Sequence, residues 1–423
     1  MPTQVAIQRR ANTLSAVVTV PGSKSITNRA LVCAALAKAP SKLFNVAPGD
    51  DTKSMIAGLN AMGASCIASD SNVEVELPIN RTWGEDVVVD ALLAGTTARF
   101  LTAVAALRTG CTTVVGEPAL RRRPMAGLLA ALQSLGAHVT TLEEPDHLPV
   151  KVCGGYQTGH ELTISGDVSS QFITALLLIA PSLVNGMTLR ISEPIVSEPY
   201  VAMTCSIMQD FGASVDRIGN GLIQVRSQGY NGRHLLIEPD ATSASYPLAA
   251  AAIVGGTVTI PGIGVSSLQG DVKFSEIMSA MGCAVVRNDA GLSVSRDPAK
   301  PLSGITINMA SISDLVPTVA VVAMFASTPT RITGVNFVRG KESDRLGDLA
   351  TELRVLGGDV DVTDDGLIVR PSSVHGGVVD THHDHRLAMA LSLVGLARDE
   401  VVVRDPDVVS KSWPQFWQML DTL

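Results

Sequence analysis

The sequence predicts a mixed α/β (α+β) protein of two domains, assembled from six copies of one βαβαββ-type unit, three per domain. Helical stretches end in a glycine-containing tripeptide at a steady interval: Met62-Gly63-Ala64, Leu135-Gly136-Ala137, Phe211-Gly212-Ala213, Met281-Gly282-Cys283 and Leu356-Gly357-Gly358. That interval is roughly 70 residues, too long for a solenoid repeat and right for a βαβαββ unit. Glycine at this place suits a helix C-cap. A β-branched or alternating strand follows each ending, as in His138-Val139-Thr140-Thr141 and Ala284-Val285-Val286. Each copy also opens with polar residues that run into a helix of small apolar ones.

In chain order the openings are Ser25-Ile26-Thr27-Asn28-Arg29, Gly95-Thr96-Thr97-Ala98-Arg99, Ser169-Ser170-Gln171-Phe172, Thr242-Ser243-Ala244-Ser245, Ser313-Asp314-Leu315-Val316 and Asp384-His385-Arg386. Packed about pseudo-symmetric axes, three such helix N-termini per domain point the same way and make a positive floor without a basic protein. Six unrelated helix caps are the plainer alternative. Glu238-Pro239-Asp240 is the expected hinge, giving an N-terminal domain of residues 22–238 and a C-terminal domain of residues 1–21 plus 239–423. A strand at Ala16–Val20 then closes the second domain, so the chain crosses between domains twice. The sixth copy starts at His385-Arg386-Leu387-Ala388 and stops at Trp417-Gln418-Met419-Leu420, before any closing tripeptide.

Length and composition agree with this division. A chain of 423 residues exceeds one ordinary domain, and 46% hydrophobic against 17% charged content suits large buried faces. The net charge of −8 argues against a general nucleic-acid or anionic-membrane binder, so any cationic site must be local. Six cysteines (Cys33, Cys66, Cys111, Cys153, Cys205, Cys283) lie far apart without a C-x-x-C pair and read as reduced core residues of a cytoplasmic protein. The N-terminus has no signal-peptide apolar region, and runs such as Phe172–Ala180 are far too short to span a membrane.

The first opening is the most informative stretch. In Pro21-Gly22-Ser23-Lys24-Ser25-Ile26-Thr27-Asn28-Arg29-Ala30-Leu31 a proline and glycine break a strand, then hydroxyls and cations lead into a helix. Free N–H groups, the helix dipole, Lys24 and Arg29 all favour an anion. An ordinary N-cap with two exposed cations fits this stretch equally well. It is no nucleotide phosphate loop, because Lys24 follows Ser23 rather than a glycine and Thr13–Val20 holds no glycine.

Taken together, Pro21–Leu31, Ala94-Gly95-Thr96 with Arg99, Arg123-Pro124, Ser169-Ser170-Gln171, Ser197 with Pro199-Tyr200, Asp314, Lys341-Glu342-Ser343-Asp344-Arg345-Leu346, Asp384-His385-Arg386 and Lys411 resemble the motifs of the 5-enolpyruvylshikimate-3-phosphate synthases, in the enolpyruvyl transferase family. The match runs from about residue 15 to the end, with motifs in all six copies and in order. The resemblance implies two inverted α/β barrel-like or prism-like domains of three units each, closing on substrates held between them, with no metal or organic cofactor. It implies a monomeric, cytoplasmic transferase of the shikimate pathway toward chorismate and the aromatic amino acids. Its substrates would be shikimate 3-phosphate and phosphoenolpyruvate, without a nucleic-acid or membrane partner.

By the same resemblance, shikimate 3-phosphate is held by Lys24, Ser25, Arg29, Ser169, Ser170, Gln171, Ser197, Tyr200, Asp314 and Lys341. Within that set Ser25 and Arg29 take the carboxylate, while Ser169, Ser170, Ser197 and Lys341 take the phosphate. Phosphoenolpyruvate is assigned Lys24, Gly95, Arg123, Gln171, Arg345, Arg386 and Lys411, with Arg345 and Arg386 forking its carboxylate. The chemistry is addition and then elimination, for which Asp314 would activate the hydroxyl and Glu342 exchange the proton at C3, with Lys24 assisting. As a solvated helix face, the Lys341–Arg345 run would put like charges at an i,i+4 spacing, which favours the anion-site reading. Asp314 would also serve as a plain N-cap.

Other features are discounted. His382-His383-Asp384-His385 lacks a suitably spaced fourth ligand, so a metal is disfavoured and His385 is grouped with Arg386 at the pocket. Arg121 and Arg122 read as solvated, and Trp413 and Trp417 as core. Two positions depart from the family pattern. Leu93 stands where asparagine often precedes Ala-Gly-Thr, which leaves sensitivity to the phosphoenolpyruvate mimic glyphosate open. Phe337 stands where another asparagine is usual, and Asn336 would reach that place only through a bulge. The rival functions are the sister transferase acting on UDP-N-acetylglucosamine and a non-catalytic anion binder. The sister enzyme has a cysteine shortly before the arginine matching Arg123, where this chain has Glu117-Pro118-Ala119-Leu120, and a binder would need neither Asp314 nor Glu342.

Overall fold

Five four-stranded sheets and one three-stranded sheet order the strands among the described residues. These residues, in the computed structural model, are 3–77, 79, 84–155, 157–167, 169–219 and 221–423; Met1 and Pro2 of the expected second-domain segment lie outside them. Each four-stranded sheet has one plan, a parallel pair of strands extended by an antiparallel hairpin, and in three of the five the parallel pair is joined through a helix. Val87–Asp90 runs parallel to Cys111–Val115 with the Gly95–Ala105 helix crossing between them. The hairpin of His138–Thr141 and Val150–Cys153 then adds to the Cys111 strand. A parallel pair requires such a crossover, which is why the helix openings and the strands alternate in sequence.

The chain divides into two compact units, Gly22–Ile237 and Met1–Pro21 with Glu238–Leu423. In each unit strands from distant parts of its own sequence complete sheets. His234–Leu236 supplies the parallel first strand beside Ser41–Phe44 in one. In the other, Leu14–Val17 lies parallel to Gly256–Pro261, and Gln4–Ala6 pairs antiparallel with Val401–Arg404. The strand expected at Ala16–Val20 thus starts and ends earlier, at Leu14 and Val17.

Within each unit the three opening helices pack on one another: Lys24–Ala35, Gly95–Ala105 and Ser170–Ile179 in the first, Ala241–Val254, Val316–Ala323 and His385–Gly395 in the second. Their composition explains the position. In Ala241–Val254 every residue but the last is buried, as expected of a helix apolar on all faces, and alanines let its neighbours approach closely. Two separate apolar cores result, one per unit. At the far ends of the second helices Gly63, Gly136, Gly212, Gly282 and Gly357 have φ of 95°, 100°, 84°, 103° and 83°, so the periodic glycines occupy left-handed turns.

One reading is corrected. Cys111 and Cys153 are not reduced core residues; they are cross-strand partners in an antiparallel ladder and form a disulfide, with Cα atoms 4.1 Å apart. Opposite residues in such a ladder come within disulfide reach whatever their separation in sequence. Cys33, Cys66, Cys205 and Cys283 are buried free thiols. Burial pushes them up to about 12, 12, 11 and 11 respectively, which leaves them unreactive. No helix among the described residues is long and apolar enough to cross a membrane.

Candidate functional site

In the Gly22–Ile237 unit the first opening is shaped by backbone contact. A Cβ on Gly22 would meet the Asn45 carbonyl oxygen at 1.7 Å, so only glycine allows the chain to turn there into the Lys24–Ala35 helix. The helix carries no acidic residue in its first turn, and the buried Ser23 hydroxyl at its cap finds no partner among the described residues. Lys24 Nζ lies 2.8 Å from Asp51 Oδ2, a buried carboxylate at the start of the Asp50–Ala61 helix. Asn28 Nδ2 donates to Thr96 Oγ1 at 2.9 Å, which joins the N-terminal ends of two opening helices.

Arg29, one helical turn on from Ser25, is buried among hydroxyls, carbonyls and rings. Its Nε donates to Thr204 Oγ1 at 2.8 Å and its Nη1 to the Ser25 carbonyl at 2.8 Å, with Phe100 and Tyr200 rings 5.6 and 5.8 Å from the guanidinium carbon. Burial pushes its pKa down to about 10. A cation desolvated in this way favours an incoming carboxylate.

The second opening places a buried glycine where guanidinium groups converge. A Cβ on Gly95 would lie 2.8 Å from Arg123 Nη1 and 2.9 Å from Arg99 Nη1. Bare backbone at a helix N-terminus beside two arginines is an anion cradle. At the third opening Ser169 caps the Ser170–Ile179 helix, its Oγ accepting from the Gln171 N–H at 3.2 Å. The Gln171 Oε1 is buried without a partner among the described residues. Ser197 caps the Glu198–Asp210 helix in a left-handed conformation, φ 56° and ψ 37°, uncommon for a residue other than glycine. Tyr200 is half-buried, and its carbonyl accepts from Thr204 Oγ1 at 2.7 Å.

The other unit holds a dense ion cluster. Asp314 sits in the short 3-10 turn before the Val316–Ala323 helix. Its Oδ1 accepts from Lys341 Nζ at 2.5 Å and Arg345 Nη1 at 3.0 Å, and its Oδ2 from Arg386 Nη2 at 2.7 Å. Arg345 also reaches Glu342 Oε2 at 2.9 Å and Asp384 Oδ2 at 2.7 Å. Lys411 Nζ stands 3.8 Å from Glu342 Oε1. Three carboxylates thus meet four cations in direct contacts. Burial alone would raise the Asp314 pKa, but Arg386, Lys341 and Arg345 outweigh it and hold the carboxyl well below its ordinary range. Burial likewise works against the charge on Arg345, and Asp384, Glu342 and Asp314 reverse that and raise its pKa.

Residues 341–346 precede the Gly347–Val355 helix, so Lys341 and Arg345 are no i,i+4 helical pair, and Asp314 bridges their like charges. No bulge carries Asn336 forward. It is exposed in a 3-10 turn and accepts from Arg339 Nε at 3.2 Å, while half-buried Phe337 has Lys341 Nζ 5.9 Å from its ring. Arg121 is not simply solvated, because it contacts both Glu143 carboxylate oxygens at 3.0 Å and the Gly116 carbonyl at 2.6 Å. Arg122 is exposed and Leu93 half-buried.

The three histidines go to separate carboxylates, His382 to Glu352, His383 to Asp405 and His385 to Asp384, and no metal-holding cluster exists among the described residues. Trp413 and Trp417 pack edge-on against Phe416. Sequence reasoning gave no role to Asp51 or Asp384, each of which holds a site cation. Their signal was the Asp50-Asp51 and Asp384-His385-Arg386 helix starts, where capping is already a sufficient reason for a carboxylate.

Comparison with known proteins gives a consistent match. The family model described as EPSP synthase (3-phosphoshikimate 1-carboxyvinyltransferase) matches residues 8–420. A 3-phosphoshikimate 1-carboxyvinyltransferase of Methanosphaerula palustris is 40% identical over 405 residues, covering 95% of each chain. The protein of that name from Serratia proteamaculans is 38% identical over 415 residues, again covering 95% of each. Among solved structures, EPSP synthase from Acinetobacter baumannii superposes with a TM-score of 0.82 at 24% identity, covering 99% of this chain and 98% of that one. The enolpyruvyl transferase NikO from Streptomyces tendae gives 0.79 at 20% identity, covering 99% and 97%. At those identities the structural likeness speaks for the fold alone.

Proposed function

The chain belongs to the EPSP synthase (3-phosphoshikimate 1-carboxyvinyltransferase) family, and we propose that it transfers the carboxyvinyl group of phosphoenolpyruvate to the 5-hydroxyl of shikimate 3-phosphate, releasing phosphate. The family match over residues 8–420 carries this reading. The reaction belongs to the shikimate pathway and leads toward the aromatic amino acids. We assign the acceptor's phosphate site to the domain of residues 22–238 and the proton-transfer residues to the domain of residues 1–21 plus 239–423. The protein is proposed to act as a cytoplasmic monomer, which sedimentation and cell fractionation would test.

Shikimate 3-phosphate is assigned Ser25 and Arg29 for its carboxylate, with Ser169, Ser170, Ser197 and Lys341 for its phosphate. Gln171 and Tyr200 would line its ring. The buried Arg29 guanidinium and the unpartnered Gln171 Oε1 support these roles. Lys24, Gly95, Arg123 and Lys411 are assigned to the phosphate of phosphoenolpyruvate, Arg345 and Arg386 to its carboxylate. The two guanidinium groups beside Gly95 support the phosphate assignment.

In the addition step the 5-oxygen attacks C2, its proton passes to Asp314, and C3 gains a proton from Glu342. In the elimination C3 returns that proton to Glu342, the C2–O bond breaks with its electron pair going to the phosphate oxygen, and the departing phosphate takes up the proton held by Asp314, with Lys24 stabilising the leaving group. Asp314 held at low pKa is a weak base while Arg386, Lys341 and Arg345 surround it. Once substrate anions share those cations, its proton affinity rises, so binding both substrates would arm the base.

A UDP-N-acetylglucosamine acceptor is disfavoured. The segment before Arg123 is a short Pro118–Arg121 helix without cysteine, and Cys111 is committed to a disulfide. A steady-state phosphate-release assay with each acceptor tests the proposal. Turnover is expected with shikimate 3-phosphate alone, and its absence there overturns the reading.

A further inference from the structure

We infer that Glu352 and His382 are positioning residues for the phosphoenolpyruvate carboxylate, clamping the turn Asp380–Asp384 so that its last residue can hold the Arg345 guanidinium. The inference rests on the roles proposed above for Arg345 and Arg386. Glu352 is 5% exposed on the Gly347–Val355 helix, the helix that follows Arg345. Its Oε2 accepts the Asp380 N–H at 2.9 Å and its Oε1 lies 2.8 Å from His382 Nε2. Asp380 Oδ1 in turn accepts the His382 N–H at 2.7 Å.

The clamped turn is strained. His382 and His383 have φ of 49° and 57°, two successive left-handed residues without a glycine, a conformation that L side chains disfavour. Such a turn persists only if its surroundings hold it. Beyond it the Asp384 N–H donates to the Thr381 carbonyl at 2.8 Å, and the Asp384 carboxylate caps the His385–Gly395 helix through the Arg386 N–H at 2.9 Å. That same carboxylate takes Arg345 Nε at 2.7 Å and Ser343 Oγ at 3.1 Å. One buried glutamate therefore ties the helix after Arg345 to the turn before Arg386, and so sets the distance between the two forks.

The clamp is also titratable. His382 faces Glu352 and Asp348, whose Oδ1 is 3.7 Å from its Nδ1, both on the Gly347–Val355 helix, and Asp380 on its own turn. Partial burial would lower its pKa, yet the hydrogen bond to Glu352 and the charges of Asp348, Glu352 and Asp380 raise it above 6.5. A raised histidine contributes its stabilisation fully below the unfolded value and loses it as pH rises through the folded value. The clamp is tightest in mild acid and slackens on the alkaline side.

The test compares wild type, His382→Gln and Glu352→Gln in steady-state kinetics between about pH 5.5 and 9. For wild type, the KM for phosphoenolpyruvate is expected to rise about three- to tenfold across the titration, with the KM for shikimate 3-phosphate flat in comparison. His382→Gln should hold the high-pH KM throughout, and Glu352→Gln should raise it at every pH with a smaller change in kcat. Should Glu352→Gln fold poorly, His382→Gln decides alone. An active wild type whose pH profile survives in His382→Gln, or a variant that raises both KM values equally, overturns the clamp only. A wild type inactive with both substrates overturns the parent reading and the clamp with it.

Discussion

Glu342 is the residue on which the proposed proton exchange turns, since Arg345 Nη2 approaches one carboxylate oxygen at 2.9 Å and Lys411 Nζ the other at 3.8 Å. Replacing it by glutamine keeps the shape and removes the base. Glu342→Gln is expected to lower kcat by about 10²–10⁴-fold with little change in either KM, measured by steady-state phosphate release. Unchanged turnover would remove Glu342 from the mechanism. Residue types were readable from sequence where chemistry and local structure disagree. Two cations at a helix start, as at Lys24 and Arg29, ask for an anion. Asp384 and Asp51 were not readable, because a carboxylate opening a helix needs no further explanation, and only geometry brings each to a cation.

At the scale of elements, the helix openings and the glycine endings were legible because both are local. Gly63, Gly136, Gly212, Gly282 and Gly357 mark the repeat through their own backbone angle. Strand register is a different matter. Cys111 and Cys153 are 42 residues apart, and nothing near either shows that one strand will lie opposite the other. The same limit applied to the segment around Asn336, where a strand with a bulge was conceivable and a 3-10 turn is found. Titrating thiols in denatured, unreduced protein is expected to find four, rising to six after reduction; six without reductant would remove the disulfide. Replacing both Cys111 and Cys153 by serine should lower unfolding stability by about 2–4 kcal/mol in denaturant titration.

At the scale of the molecule, an acidic chain concentrates cations where helices begin and leaves carboxylates among them as internal partners. Asp271 is the costly member of that arrangement. It is 3% exposed, bonded to Thr242, and raised to about 6 by burial and by the charge of Asp314. An acid whose folded pKa is raised contributes stability below its unfolded value near 3.8, and that contribution is lost as pH rises through about 6. Asp271→Asn, which keeps an acceptor for Thr242, should therefore stabilise the protein by on the order of 2 kcal/mol at pH 7.5, with the difference vanishing near pH 4. Thermal unfolding followed at both pH values checks this, and an equal difference at both would exclude the buried charge as its cause. The central claim, carboxyvinyl transfer by addition and elimination, is tested most directly by following the reaction of both substrates in D₂O by NMR. One phosphate released for each carboxyvinyl ether formed on the 5-oxygen, with deuterium in the vinyl CH₂ of the product, is the expected result. Phosphate released without that ether, or an ether free of deuterium at the vinyl carbon, would contradict it.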